Sequence, residues 1–285
     1  MTLATLADVL QPALKGGYAV PGLVCLGWED MRACVMAAEA ECAPIILQAG
    51  PGCRAHTPLP ILAKMMRHLA EAARVPVVVH LDHGYSVKEC RQALDVGFTS
   101  VMFDGSRLPL GENIDRTAAV AELAHAAGAS CEGEIGFVGY AGGEASSRTD
   151  ADEAARFATE TAVDAMAVSV GNVHLQKIPG SGLDLARLGD IAARTRTALV
   201  LHGGSGVPVA ERAVLAATLR VAKMNIGTEL RMAFGAALRK ALAADPEAFD
   251  RIAILQATEL PMVRATRAVI RGLGAAGCAQ AADMT

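Results

Sequence analysis

VPVVVHLDHG (75–84) is a short apolar run that opens after a proline and closes on Asp82, His83 and a glycine. An uninterrupted apolar run of this length, rich in β-branched residues, reads as a strand buried on both faces, as in a parallel sheet. Its polar residues gather at the C-terminal end. Two more segments share the pattern: AMAVSVGNVH (165–174) ends on His174, and TALVLHGGSG (197–206) places His202 directly after its apolar run.

Working outward, the strand-like runs are 18–24, 44–48, 76–82, 98–103, 129–134, 164–169, 197–201 and 221–225, eight in all. Amphipathic stretches separate them, among them 57–73, 112–127 and 183–195, with apolar residues at helical spacing. Gly97 and Gly128 mark helix-to-strand turns. Eight such units in 285 residues predict an α/β fold, a single (β/α)8 TIM barrel spanning 1–285. Residues 1–17 read as an extra amphipathic helix before the first strand, and 229–244 and 247–272 as C-terminal helices added to the barrel. The segment IGFVGYAGGEASSRTD (135–150), after the fifth strand, has the glycine-rich, short-polar composition of a mobile lid.

Composition narrows the function. A net charge of −4, one Trp, three Tyr and six Phe argue against a nucleic-acid partner. No apolar stretch reaches the ~18 residues of a spanning helix, and the acid at position 8 argues against a signal peptide. Seven cysteines, an odd number without CxxC spacing, fit reduced thiols in a cytoplasmic protein.

In a barrel of this kind, catalytic groups come from the C-terminal ends of several strands. Those ends carry Asp82 and His83, Asp104, Glu132 and Glu134, His174, His202 and Asn225. Three imidazoles with an open fourth position make a catalytic rather than a structural zinc site, so His83, His174 and His202 are the expected ligands. His80 lies deeper on its strand and reads as a core or supporting residue, while His56, His68 and His125 read as surface residues. The loops after strands seven and eight, Gly203-Gly204-Ser205-Gly206 and Asn225-Ile226-Gly227-Thr228, have the glycines and hydroxyls of a phosphate site. GLGAAG (272–277) imitates a dinucleotide fingerprint, but too little chain follows it for a βαβ unit. HGGSG (202–206) has no GxSxG nucleophile elbow to partner it.

VHLDHG (79–84), EGEIG (132–136), GNVH (171–174), LHGGSGVP (201–208) and KMNIGTEL (223–230) occur in the order and spacing of the class II, zinc-dependent ketose-bisphosphate aldolases. The chain resembles their fructose- and tagatose-1,6-bisphosphate branch over about residues 1–277. The resemblance implies reversible cleavage of a phosphorylated ketose to dihydroxyacetone phosphate and an aldehyde. It implies Zn²⁺ on His83, His174 and His202, with Asp104 and Glu134 at an alternative or second metal position. Asp82 would move the hydroxyl proton, a role its place beside a metal ligand suits. Gly203, Gly204, Ser205, Asn225, Ile226, Gly227 and Thr228 would hold the phosphate, with a monovalent cation (Na⁺ or K⁺) nearby. Glu144, after Gly142-Gly143 in the long loop, matches the second base. A homodimer or homotetramer is also implied.

Three positions depart from the family pattern: Gly22-Leu23-Val24 stands for Ala-Phe-Asn, Gly50 for a serine, and Leu175 for a glycine. Lost polar side chains would change what the site holds, so the expected aldehyde half is not glyceraldehyde 3-phosphate. Competing expectations are a Schiff-base aldolase using Lys223, a metal-dependent hydrolase, and a non-catalytic sugar-phosphate-binding relative or partner subunit.

Overall fold

Short buried strands that alternate with amphipathic helices pair in parallel, and closing such a sheet on itself leaves no unpaired edge. The computed structural model, which describes residues 2–180 and 182–279, shows that solution. Its strands are β1 (Leu3–Ala4), β2 (Val20–Val24), β3 (Ile45–Ala49), β4 (Val77–Gly84), β5 (Ser100–Phe103), β6 (Ser130–Ile135), β7 (Ala165–Val168), β8 (Ala198–Leu201) and β9 (Val221–Ile226). β2 to β9 pair in sequence order, and the β2–β9 pairing closes them into an eight-stranded (β/α)8 barrel. All eight expected strands form, with ends displaced by a residue or two.

β1 is the strand that the sequence reading missed. Leu3 pairs with Val77, and Val77 N donates to the Thr2 carbonyl at 2.7 Å. Residues 1–17 are therefore not helix throughout, because a two-residue strand is too short to show a period. The helix that follows, Leu6–Gly16, starts at a reciprocal cap: Thr5 Oγ1 accepts from Asp8 N, and an Asp8 carboxylate oxygen accepts from Thr5 N. The two C-terminal helices form at Thr228–Ala244 and Arg251–Gly272. All seven cysteines are free thiols, and no described helix is long and apolar enough to cross a membrane.

Outside the barrel wall lies an apolar layer against the helices. Inside the wall, Gln48, His80, Ser100, Glu132 and Lys223 are all fully buried. At the opposite side of the wall, the Arg251–Gly272 helix packs on Trp28–Ala40 and is tied by ion pairs to Glu41. Arg267 Nε donates to Glu41 at 2.5 Å, and Arg271 donates through Nε and Nη2 at 2.8 Å each. Arg271, with Arg267 and against burial, holds the Glu41 carboxyl below its ordinary value.

A carboxyl whose value is lower folded than unfolded stabilises above the unfolded value, about 4.3, and loses that contribution as pH falls through the folded one. Glu41→Gln is expected to cost about 1 kcal/mol at pH 7. That corresponds to roughly 2–4 °C in Tm. The cost should shrink progressively as pH falls below about 4, which thermal melts of both proteins across pH 3–7 would check.

Candidate active site

His83 owes its place to an irregularity in β4. The β4–β5 register shifts between Leu81 and Gly84, and His83 takes a left-handed φ of 52°. Such a bulge re-aims a side chain at the rim of a barrel. Arg54, from the short Pro51–His56 helix, holds this turn by donating to the carbonyls of Asp82 (2.7 Å) and His83 (2.9 Å). No motif in the sequence pointed to Arg54.

The three histidines converge as expected. Ring centroids lie 4.7 Å apart for His83 and His202, 5.4 Å for His83 and His174, and 5.6 Å for His174 and His202. One donor nitrogen from each falls within a sphere where all lie within 4.8 Å of one another, and His83, Asp104 and Glu134 form a second such group. Asp104 sits 2.7 Å from His83 Nδ1, with Glu134 at 3.6 Å from that nitrogen and 3.4 Å from His202 Nδ1. His202 Nδ1 and Glu134 Oε2 are buried atoms without a hydrogen-bond partner in the protein. Orphaned lone pairs on a nitrogen and a carboxylate, facing one small space, fit a borderline cation such as Zn²⁺.

Electrostatics separates the three imidazoles: His83 favours its proton in the absence of a cation, whereas His174 and His202 do not. Burial opposes the His83 cation, yet Asp82 and then Asp104 and Glu134 hold this imidazole up to about 10. Burial and the nearby His83 lower His174 to about 4, and the same two causes push His202 well down. Burial raises the Glu134 carboxyl, and Asp104 adds to it. His174 and His202 are thus kept neutral and able to ligate.

Beside the histidines opens a cavity of about 270 Å³. Asp82 lines it, and Asn225 Nδ2 donates to its carboxylate at 3.3 Å. Gly203, Ser205, Asn225, Gly227 and Thr228 line it as well, whereas Gly204 and Ile226 stand behind. A Cβ on Gly204 would lie 2.3 Å from Met224 Cγ, so that glycine admits β9 close to the loop. Gly203 has φ +65°, and the Thr228–Ala244 helix starts at the cavity wall, its N-terminal N–H groups favouring an anion.

Val24, Gly50 and Leu175, the three departures from the family pattern, all line this cavity. So do Tyr85, Tyr140 and Arg231, which the sequence reading overlooked. Arg231 lies one turn into a helix, a position indistinguishable in sequence from a solvated surface arginine. Asn172, also overlooked, clamps two strand ends: its Nδ2 donates to the His202 carbonyl at 3.0 Å, and its Oδ1 accepts from Val170 N at 2.8 Å.

Glu144 stands elsewhere. It is exposed and paired through both oxygens with Arg107, at 2.9 and 2.6 Å, and it does not line the cavity. The loop that carries it is a hydrogen-bonded flap: Phe137 pairs with Ser147, His174 N donates to the Gly139 carbonyl at 2.8 Å, and Tyr140 stacks on His174. Lys223 lies beneath the histidines, fully buried and 2.6 Å from Glu132, and presents no amine to the cavity. His80 is buried beside it, as expected of a supporting residue, while His56, His68 and His125 are exposed.

Residues 4–278 match the family described as "Fructose-bisphosphate aldolase class-II". The chain is 37% identical to a fructose-bisphosphate aldolase from Geobacillus stearothermophilus over 257 residues, covering 88% of this chain and 89% of the relative. It is 38% identical over 272 residues to a 6-phospho-5-dehydro-2-deoxy-D-gluconate aldolase from Shouchella clausii, covering 93% and 92%. The crystal structure of the YdjI aldolase from Escherichia coli K12 superposes with a TM-score of 0.85 at 29% identity, covering 98% of this chain and all of that one.

His174 is the half-exposed member of the trio, so its removal leaves no sealed cavity. His174→Ala is expected to lower divalent-metal content after dialysis at least tenfold while leaving Tm within about 2 °C. Elemental analysis and thermal melts would check both.

Proposed function

The chain belongs to the class II fructose-bisphosphate aldolase family, and on that premise we propose that its substrate is a phosphorylated keto-acid rather than a ketose bisphosphate. It is a class II aldolase, a carbon–carbon lyase. The reading is that it splits its substrate reversibly into dihydroxyacetone phosphate and a short aldehyde acid, with Zn²⁺ as the bound cation.

The carrying observation is the cavity wall. Val24, Gly50 and Leu175 offer no hydrogen-bonding side chain, and Arg231 is the one Lys or Arg in the described lining. An aldehyde rich in hydroxyls would leave them unpaired against Val24 and Leu175, whereas a carboxylate finds a planar partner in Arg231. A 2-deoxy keto-acid phosphate of the kind in the Shouchella relative's name meets both demands. Retro-aldol cleavage of such a molecule gives dihydroxyacetone phosphate and a three-carbon aldehyde acid without a hydroxyl.

His83, His174 and His202 would hold the zinc, with Asp104 and Glu134 as further donors. Bound there, zinc supplies Lewis acidity at the carbonyl oxygen on which negative charge collects. Asp82 takes the proton from the hydroxyl on the carbon that becomes the aldehyde, and Asn225 Nδ2 orients that carboxylate from 3.3 Å. Ser205, Gly227 and Thr228, with the N-terminus of the Thr228–Ala244 helix, hold the phosphate. Glu144 is assigned the proton exchange on the carbon next to the carbonyl, which requires the flap to release it from Arg107.

Two outcomes test this reading. In aldol assays with dihydroxyacetone phosphate, 3-oxopropanoate should exceed glyceraldehyde 3-phosphate at least tenfold in kcat/KM, and Arg231→Met should erase the lead of 3-oxopropanoate over propanal. Cleavage of fructose or tagatose bisphosphate at ordinary efficiency, roughly 10⁴ M⁻¹s⁻¹ or more, would defeat it. Separately, Asp82→Asn should lower kcat about 10²–10⁴-fold, and chelation should abolish turnover, with no borohydride trapping at Lys223. An Asp82→Asn enzyme of unchanged rate would exclude this mechanism.

A further inference from the structure

Beneath the metal donors a chain of fully buried polar groups runs from His202 to residues that no part of the reaction touches. His202 Nε2 is 3.1 Å from Glu132 Oε1. Lys223 Nζ donates to Glu132 Oε2 at 2.6 Å and lies 3.4 Å from His80 Nε2. His80 Nδ1 is 2.8 Å from Ser100 Oγ. All five side chains have zero exposure.

We propose that Glu132 and Lys223 are positioning residues that fix which nitrogen of His202 faces the cation. An ammonium group has donors only, so its polarity propagates outward through the chain. Towards His80, Lys223 requires Nε2 to accept, which leaves Nδ1–H to donate to Ser100. On the other side, Lys223 keeps Glu132 an acceptor at a depth where a lone carboxylate would be costly. Glu132 therefore accepts a hydrogen bond from His202 Nε2–H, and the lone pair of His202 falls on Nδ1. That nitrogen is the buried atom without a protein partner, 3.4 Å from the equally orphaned Glu134 Oε2. A lysine on β9 thereby sets the tautomer of a ligand just past the neighbouring β8 through a carboxylate on β6.

This inference rests on the metal reading of the site, and its test separates the two. Long-range ¹H–¹⁵N spectra of the zinc-loaded protein, labelled at histidine, report which nitrogen of His202 carries the proton, and Nε2–H is expected. The paired variant Glu132→Gln/Lys223→Met keeps the volumes and leaves no lone buried charge, so it is the version expected to fold. Competition of zinc-loaded protein against a chelator should show a 10–100-fold loss of zinc affinity in that variant. In the metal-free form of that variant the His202 proton should spread over both nitrogens, and at saturating zinc kcat should fall while KM for dihydroxyacetone phosphate moves less than twofold. A proton on His202 Nδ1 in the unmutated protein, or full zinc affinity in the folded variant, would overturn the inference while leaving the metal site standing. An unmutated protein that takes up no zinc would instead overturn the metal reading.

Discussion

Glu132 receives the Lys223 ammonium at 2.6 Å and the His202 ring at 3.1 Å in a space that no solvent reaches. A barrel interior of this kind tolerates charge only where each charge has its partner, since an unpaired ion at such depth costs several kcal/mol. The pair fills the position where many barrels stack aliphatic layers. It gives the mouth above a rigid polar floor. On that floor stand His202 and Glu134, and around them His83, Asp104 and His174.

The geometry of the mouth follows from how its donors are delivered. Parallel strands end together, so residues at strand ends become neighbours although many positions separate them, 143 in the case of Asp82 and Asn225. Two devices then adjust the fit. The left-handed turn at His83, held by Arg54 through carbonyl oxygens, swings one ligand inward. Asn172 ties the His202 carbonyl to the end of β7, fixing the spacing of the second and third histidines. Neither device touches the donor atoms, yet both govern where those atoms stand.

Much of this could be read from the chain. Short apolar runs closing on Asp82-His83, His174 and His202 carried the barrel and the donor set, because the period of a buried strand and the type of a ligand are both local facts. β1 escaped because two residues carry no period. Arg231, Tyr85, Tyr140 and Gln48 escaped for a different reason: each is an ordinary residue of its helix, loop or strand, and only closure of the barrel turns it towards the cavity or the interior. Gly204 and Ile226, members of the same two loops, are buried and fall outside the described lining of the cavity.

The order of residues by itself determined the strand and helix sequence, the count of barrel strands, the imidazoles and carboxylates available, and the absence of polar side chains at Val24, Gly50 and Leu175. Those are properties of local pattern and chemical type. Tertiary structure alone decided which carboxylates meet the ring nitrogens of His83 and His202, that Lys223 is spent on Glu132, that Glu144 is held by Arg107 away from the cavity, and that one arginine faces the site. These depend on distances of a few ångströms between groups far apart in the chain. Hydrogen bonds and ion pairs are sensitive to such distances, and local pattern does not encode them.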